Sequence, residues 1–305
     1  MTPNPKTYPL KPMEGPSSNV IWYNAALFKT AGLDPSVDAV NHWTWGDFYA
    51  NAAKLTQRVG TNITVAGFDG VAANVNNLAT LVQSDGASMY DAQQTAVGWD
   101  NEAGIETLQF IADINSGKWP GQATWAAGQK PPVTKNGRVF DGTVAMQLGG
   151  TFQVEFLESG ASALDLRMAL MPRGPHGAKN SSVSFTNMIT LPVGSKHPDA
   201  AWTFASYFAG LEARTICLQT TQRAEQPRKD FFASQAFASM AQKFPDLQYV
   251  PQYGVLGGAY PFIQPTAVAN AVNPILVQCA AGKQSATDAI RQAAQLANAL
   301  LRQPS

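Results

Sequence analysis

The feature that most restricts the fold is a change of periodicity within one short stretch. VIWYNAALFKTAGL, Val20 to Leu33, begins as an apolar run with a Tyr-Asn pair and breaks directly into a short helix, read over Ala25 to Ala31. Gly32 closes that helix and Pro35 stands beyond it as a stop. The proline-rich segment before it, Met1 to Pro16, offers no strand and helix pair of its own, so the chain reads as beginning within a fold.

The segments that follow alternate strand and helix. Thr44 with Asp47 three residues on is a capping-box variant, and Trp45, Phe48, Tyr49, Ala52 and Leu55 then recur at helical spacing. TVAGF (Thr64 to Phe68) reads as a strand and Asn77 to Gln83 as a helix; a further helix starts at Asp100 with Ile105, Leu108, Ile111 and Ala112 on one side. TVAMQLGG, Thr143 to Gly150, is a strand running into a glycine pair where the backbone can turn tightly or approach a ligand, and Phe152 stands at the mouth of that turn. Strands are expected at Leu166 to Pro172 and Met188 to Pro192. Helices follow over Asp199 to Phe208 and Glu212 to Gln219, and Ser285 with Asp288 caps a last one carrying Ile290, Ala293, Ala294, Ala297 and Leu301.

Composition excludes several partners. The 305 residues carry 21 Lys plus Arg and 21 Asp plus Glu, a net charge of +0 with no block of one sign, so no electrostatic footprint for nucleic acid or anionic lipid is present. With 45% hydrophobic residues the chain has the material for a large core or two ordinary domains. Cys217 and Cys279 stand far apart and in no paired motif, which reads as two buried thiols rather than a zinc or redox pair. MTPNPKTYPLKPMEG lacks the parts of a signal peptide, and no run reaches the roughly 18 apolar residues of a membrane span, so the chain taken literally is neither exported nor anchored.

Catalytic motifs are absent. His42, His176 and His197 have no metal-ligand spacing, there is no G-x-S-x-G, and the glycines near Gly149 lack the lysine or third glycine of a phosphate-binding loop. No enzyme activity, cofactor or metal is therefore expected.

The order of several segments is informative. YNAALFKTAGL, TWGDFYANAAKLT, QSDGASMYD, EAGIETLQFIADI, FDGTVAMQLGGTF, ALMPRGP, TLPVGSKHPDAAWTFASYF and the closing helix after AAGKQSATDAI together resemble the family 1 extracellular solute-binding proteins of ABC importers, the sugar-binding group that includes maltose-binding protein. The likeness runs from about Tyr8 to Leu301. It implies an α/β, periplasmic-binding-protein-like type II fold of two lobes with a hinge, ligand in the cleft and closure by hinge motion. Against that pattern the opening of the first lobe is missing: residues 1–16 would be a hinge approach, 17–179 and 229–305 a nearly complete second lobe, and 185–226 a fragment of the first. The fragment's Trp202, Phe204, Phe208 and Ile216 would then lack the sheet they normally cover, leaving an adhesive patch unless a separate polypeptide supplies the missing strands. The implied partners are a small solute, in the first place a saccharide, and ABC permease subunits; the implied location is extracytoplasmic. An enzyme or a non-transport interaction module built on the second lobe is the other class left open.

Sugars present apolar C–H faces and many hydroxyls, so their sites combine aromatic platforms with polar side chains. Counting back from Tyr23 and Asn24, the family's hinge-proximal polar contact falls on Glu14 or Ser17, Glu14 being preferred. Counting back from Asp85 and Gly86 places Asn74 and Asn76 where the maltodextrin-binding relative has Glu and Tyr; the mismatch in type implies a different ligand. Phe152 takes the place of a sugar-stacking aromatic. Phe185 and Asn187 in SFTN would lie on the second hinge crossing, and Tyr260 in GGAYPF is a further candidate. Trp22, Trp43 and Trp45 follow strand and helix spacing and are assigned to the core.

Overall fold

A single long strand, β1 (Lys11–Asn24), organises the molecule. The structure is a computed structural model describing residues 11–117, 130, 132–134, 137–157, 164–192, 194–226, 228–256, 258–259 and 265–302. Over its C-terminal half β1 lies between two antiparallel neighbours, β4 (Met146–Gly150) and β5 (Leu166–Ala169). Over its N-terminal half it pairs antiparallel with β6 (Val183–Ile189), which in turn pairs with the short parallel β7 (Gly258–Ala259). The change of partner falls between Ser18, opposite Ser184, and Asn19, opposite Gly150. A separate hairpin joins β2 (Gln57–Val59) to β3 (Asn62–Val65).

The apolar run of the sequence is explained by this placement. Ile21 and Tyr23 face one core cluster, while Val20 and Trp22 face another, and all four are buried. A strand covered on both faces reads as a continuous hydrophobic run rather than as an alternation. Its last two residues then end it: the Tyr23 hydroxyl donates to the Pro35 carbonyl at 3.0 Å, and the buried Asn24 caps α1 (Ala25–Thr30) by accepting from the Ala26 N–H at 3.0 Å.

The first cluster is walled by α2 (Val37–Val40), α3 (Trp45–Leu55), α4 (Val75–Ser84) and α5 (Glu102–Ser116). Later come α6 (Pro198–Phe208), α7 (Leu211–Thr221), α8 (Lys229–Phe232), α9 (Gln235–Lys243), α10 (Val250–Leu256), α11 (Pro265–Ala280) and α12 (Ala286–Leu301). On α12 the residues Ala286, Ala289, Ile290, Ala293, Ala294 and Ala297 are all buried, a smooth face that packs against α11 and α5. Both expected caps form: Thr44 and Asp47 complete a reciprocal capping box, and the Ser285 hydroxyl accepts from the Asp288 N–H at 3.1 Å. Trp22, Trp43 and Trp45 are core residues as expected. No helix among the described residues is long and apolar enough to cross a membrane.

Several boundaries differ from the sequence reading. β1 starts at Lys11, inside the segment read as a strandless approach, because register shifts on either side of Glu14 and a positive φ of 116° at Gly15 let Pro12 and Pro16 be carried in an irregular pairing with β6. The third strand ends at Val65, and Ala66 makes an isolated bridge to Val144, so TVAGF is mostly past the hairpin. The strand expected at Met188 to Pro192 lies earlier, over Val183–Ile189; SFTN is its centre. Cys279 is buried but Cys217 is half-buried.

A polar node fixes the point where β1 changes partner. Thr151, fully buried, accepts the Ser18 N–H on Oγ1 at 3.0 Å, and the hydroxyls of Ser18 and Ser184 are 2.9 Å apart in the interior. Thr151→Val keeps the shape and removes the acceptor, leaving the Ser18 N–H buried and unpaired; we expect a loss of about 1–3 kcal/mol in urea unfolding.

The segment beyond β6 is not covered in the same way. Phe204 is 62% exposed, and Tyr207, Ile216 and Met188 are close to half exposed, whereas Ala205, Ala213 and Leu218 on the same two helices are buried. Aromatic and aliphatic side chains grouped in this way favour association. Sedimentation velocity should show concentration-dependent self-association, reduced in the double variant Phe204→Ser, Ile216→Ser; a monodisperse parent would contradict this.

Candidate functional site

The turn after β4 is built to present one aromatic ring. Both backbone groups of Gly150 are satisfied by side chains: its carbonyl accepts from the Trp22 indole at 3.0 Å and its N–H donates to Gln153 Oε1 at 3.1 Å. The chain can therefore leave the sheet into the 3-10 turn Thr151–Phe156 without stranding polar groups. A Cβ on Gly150 would sit 2.2 Å from the Phe152 ring, so glycine at this position is what allows the ring to lie back against the backbone. Phe152 is 43% exposed, a high value for a phenylalanine, and points to a surface recess rather than the core.

That recess has a volume of about 320 Å³ and is lined by Ser17, Phe152, Phe185, Asn187, Arg223 and Glu225. Its floor is the β1–β6 ladder. Ser17 lies directly opposite Phe185 in register, and Asn187, two residues further along β6, shares the Phe185 face. The Ser17 hydroxyl lies 3.4 Å from that of Thr151, which ties the ladder to the turn carrying Phe152. Arg223 and Glu225 come from the segment that follows α7. The Arg223 guanidinium pairs with Glu155 at 3.0 Å, and Glu225 is buried at 3% exposure.

The recess thus offers two aromatic rings, a hydroxyl, a primary amide, a carboxylate and a guanidinium whose charge Glu155 already balances. Such a mixture suits a neutral, polyhydroxylated molecule with apolar C–H faces better than an ion. A second recess of about 230 Å³, walled by Trp22, Arg167 and Asp246, is less suited to a ligand. Its Arg167 and Asp246 are 3.2 Å apart and bonded to each other, and Asp246 also accepts the Met168 N–H at 3.0 Å. Burial pushes the Asp246 carboxyl above the usual range against those bonds.

Of the residues named from the sequence, Ser17, Phe152, Phe185 and Asn187 meet in the recess. Glu14 pairs with Asn187 in the backbone register, but its side chain lies outside what is described. Tyr260 also lies outside the described residues. Asn74 and Asn76 do not line the recess: the Asn74 side chain caps α4, accepting the Asn77 N–H at 2.9 Å, and Asn76 is exposed on the first turn. Thr80, one turn after Asn76 on the same helix stripe, accepts from Asn19 Nδ2 at 2.6 Å, and Asn19 is two residues along β1 from Ser17. Arg223 and Glu225 were not singled out in the sequence. The sign that marks them is the pair of charges in TQRAEQ, a chain segment between two helices in a protein only 14% charged.

Comparison with known proteins gives a consistent picture. The family model described as bacterial extracellular solute-binding protein matches residues 2–215. No curated protein matches the sequence. Among solved structures, a solute-binding protein of an ABC transporter from Thermotoga lettingae, bound with alpha-D-tagatose, superposes with a TM-score of 0.78 at 20% identity, over 96% of this chain and 72% of that one. The GacH receptor of Streptomyces glaucescens, solved unliganded and with acarbose, gives 0.78 at 18% identity over 97% and 72%. Maltose-bound MalE3 of T. maritima gives 0.76 at 15% identity over 94% and 71%. The fold is accordingly the mixed α/β, type II periplasmic-binding-protein fold, and with more than half its length matched by the family model the chain belongs to the bacterial extracellular solute-binding proteins, a family of extracytoplasmic binding proteins rather than enzymes.

Proposed function

We propose that this protein is the solute receptor of an ABC importer and that the recess at the β1–β6 crossing is one wall of a cleft for a neutral saccharide or sugar alcohol. The observation that carries the reading is convergence: Ser17, Phe152, Phe185 and Asn187, drawn from three separate segments, share one recess. In this reading β1 and β6 are the two crossings between lobes, residues 17–179 and 229–305 form the second lobe, and 185–226 belong to the first. Phe152 is the stacking platform, Ser17 and Asn187 bond hydroxyls, and Asn76 with Asn74 borders the rim from α4. Glu14, paired with Asn187 in the backbone register, and Tyr260 are the remaining candidates for the same site. The open apolar face of α6 and α7 is the seat for further first-lobe structure. The loaded receptor would hand its cargo to permease subunits on the outer side of the membrane.

Ligands seen in structural neighbours give the panel: tagatose, maltose, mannobiose and mannitol. Saturation-transfer NMR, which reads weak binding to a half-open cleft, should detect at least one of them on the parent protein. Phe152→Ala should weaken that ligand by about tenfold, because an aromatic contact is worth about 0.5–1.5 kcal/mol beyond its buried area. The variant should melt with the parent, since the ring is partly exposed and outside the core. Binding of none of the four, or binding indifferent to Phe152→Ala, would contradict the reading.

A further inference from the structure

A second polar cluster gathers at the C-terminal end of α4, some distance from the recess: the ten residues Val75–Ser84 span about 15 Å. Asp85 ends the helix and is fully buried, at 0% exposure. Its Oδ1 accepts the His176 backbone N–H at 2.8 Å, while Oδ2 is buried with no hydrogen-bond partner. Glu106, on α5, brings Oε2 within 3.2 Å of His176 Nε2, yet that oxygen is in hydrogen-bonding geometry with no donor. The two atoms are close without being aimed at each other. One ligand atom from each of Asp85, Glu106 and His176 lies within 4.8 Å of the other two.

This arrangement is expensive as it stands. Leaving a buried acceptor unsatisfied is destabilising, and more so if it is charged. Burial pushes the Asp85 carboxyl up to about 6, with the neighbouring Glu106 acting in the same direction. The backbone nevertheless packs closely around Asp85 and His176. Gly174 passes so close that a Cβ there would lie 2.2 Å from Asp85 Oδ1, and a Cβ on Gly86, whose φ is +84°, would meet the His176 carbonyl oxygen at 2.6 Å. A positive charge placed among the three side chains would answer the orphaned oxygens at once.

We propose that Asp85, Glu106 and His176 bind a divalent transition-metal cation of the zinc class. One imidazole nitrogen and two carboxylate oxygens are zinc-type donors, with bonds of about 2.0–2.2 Å that put tetrahedral ligand atoms about 3.3–3.6 Å apart. His176 Nε2 and Glu106 Oε2, 3.2 Å apart, are near that range, and the Asp85 oxygen lies within 4.8 Å of both. Calcium, which takes 6–8 oxygens, is poorly served by three side chains of which one is an imidazole. The side chains of His176 and Glu106 are about two-fifths exposed, which leaves an entry path and a fourth position open to solvent. A cation there would staple the end of α4 to α5 and to the loop carrying His176, a structural clamp on one body of the fold. The site is independent of the saccharide reading and shares no residue with it.

The test uses untagged, chelator-treated protein titrated with zinc chloride in a calorimeter. About one zinc per chain should bind, and cobalt(II) should give the visible absorption of a tetrahedral site. His176→Ala should weaken zinc by at least about 100-fold, beyond the loss expected for an outer hydrogen-bond partner, and remove the cobalt signal. His42→Ala should leave both unchanged. Asp85→Asn tests the buried ligand, and His176→Ala, at a partly exposed position, keeps the test valid if that variant does not fold. No uptake by the folded parent, or uptake undiminished in His176→Ala, would overturn the proposal.

Discussion

The structure depends on one strand serving two sets of neighbours. From Asn19 onward β1 pairs with β4, and from Ile21 also with β5, as a buried interior strand; up to Ser18 it is the partner of β6. A strand can change partners only if its backbone groups are satisfied through the change, and here the Thr151 hydroxyl accepts the Ser18 N–H at that point. Because Thr151 also opens the turn after β4, the same hydroxyl that stabilises the change of partner fixes where Phe152 emerges.

The recess follows from this constraint. Beyond the change of partner, β6 is exposed over Thr186, Asn187 and Met188, since the bulk of the core lies behind the other half of β1. Side chains of the β1–β6 ladder are therefore available to a ligand, while Ile21, Trp22 and Tyr23 are locked in the core. The segment after α7 returns past the same ladder, its Glu225 carbonyl accepting from the Gly15 N–H, and so Arg223 and Glu225 complete the lining. The cluster of Asp85, Glu106 and His176 sits at the other end of α4, where only Asp85 is fully buried.

Much of this is legible in the sequence where local rules act alone. The caps at Thr44 and Ser285, the amphipathic helices and the buried tryptophans obey spacing, and Phe152 stands out because an aromatic follows a glycine pair at a strand end. What escaped is tertiary. Pro12 and Pro16 argue against a strand, and only register shifts around Gly15 make one possible. Asn74 looks like a ligand residue by position, yet its amide is used to cap α4. Asp85, Glu106 and His176 are separated by 21 and 70 positions, so no spacing rule for metal ligands can pick them out. Arg223 and Glu225 sit in a segment without periodicity, and their place depends on where α7 ends.

The central claim is that the β1–β6 crossing is a saccharide-binding surface. The most direct measurement is the map of amide chemical-shift changes when a bound sugar from the panel is added to isotopically labelled protein. The account predicts that the changes centre on Ser17, Phe152, Phe185, Asn187, Arg223 and Glu225. Changes centred instead on the Arg167–Asp246 recess, or spread evenly over the surface, would contradict it.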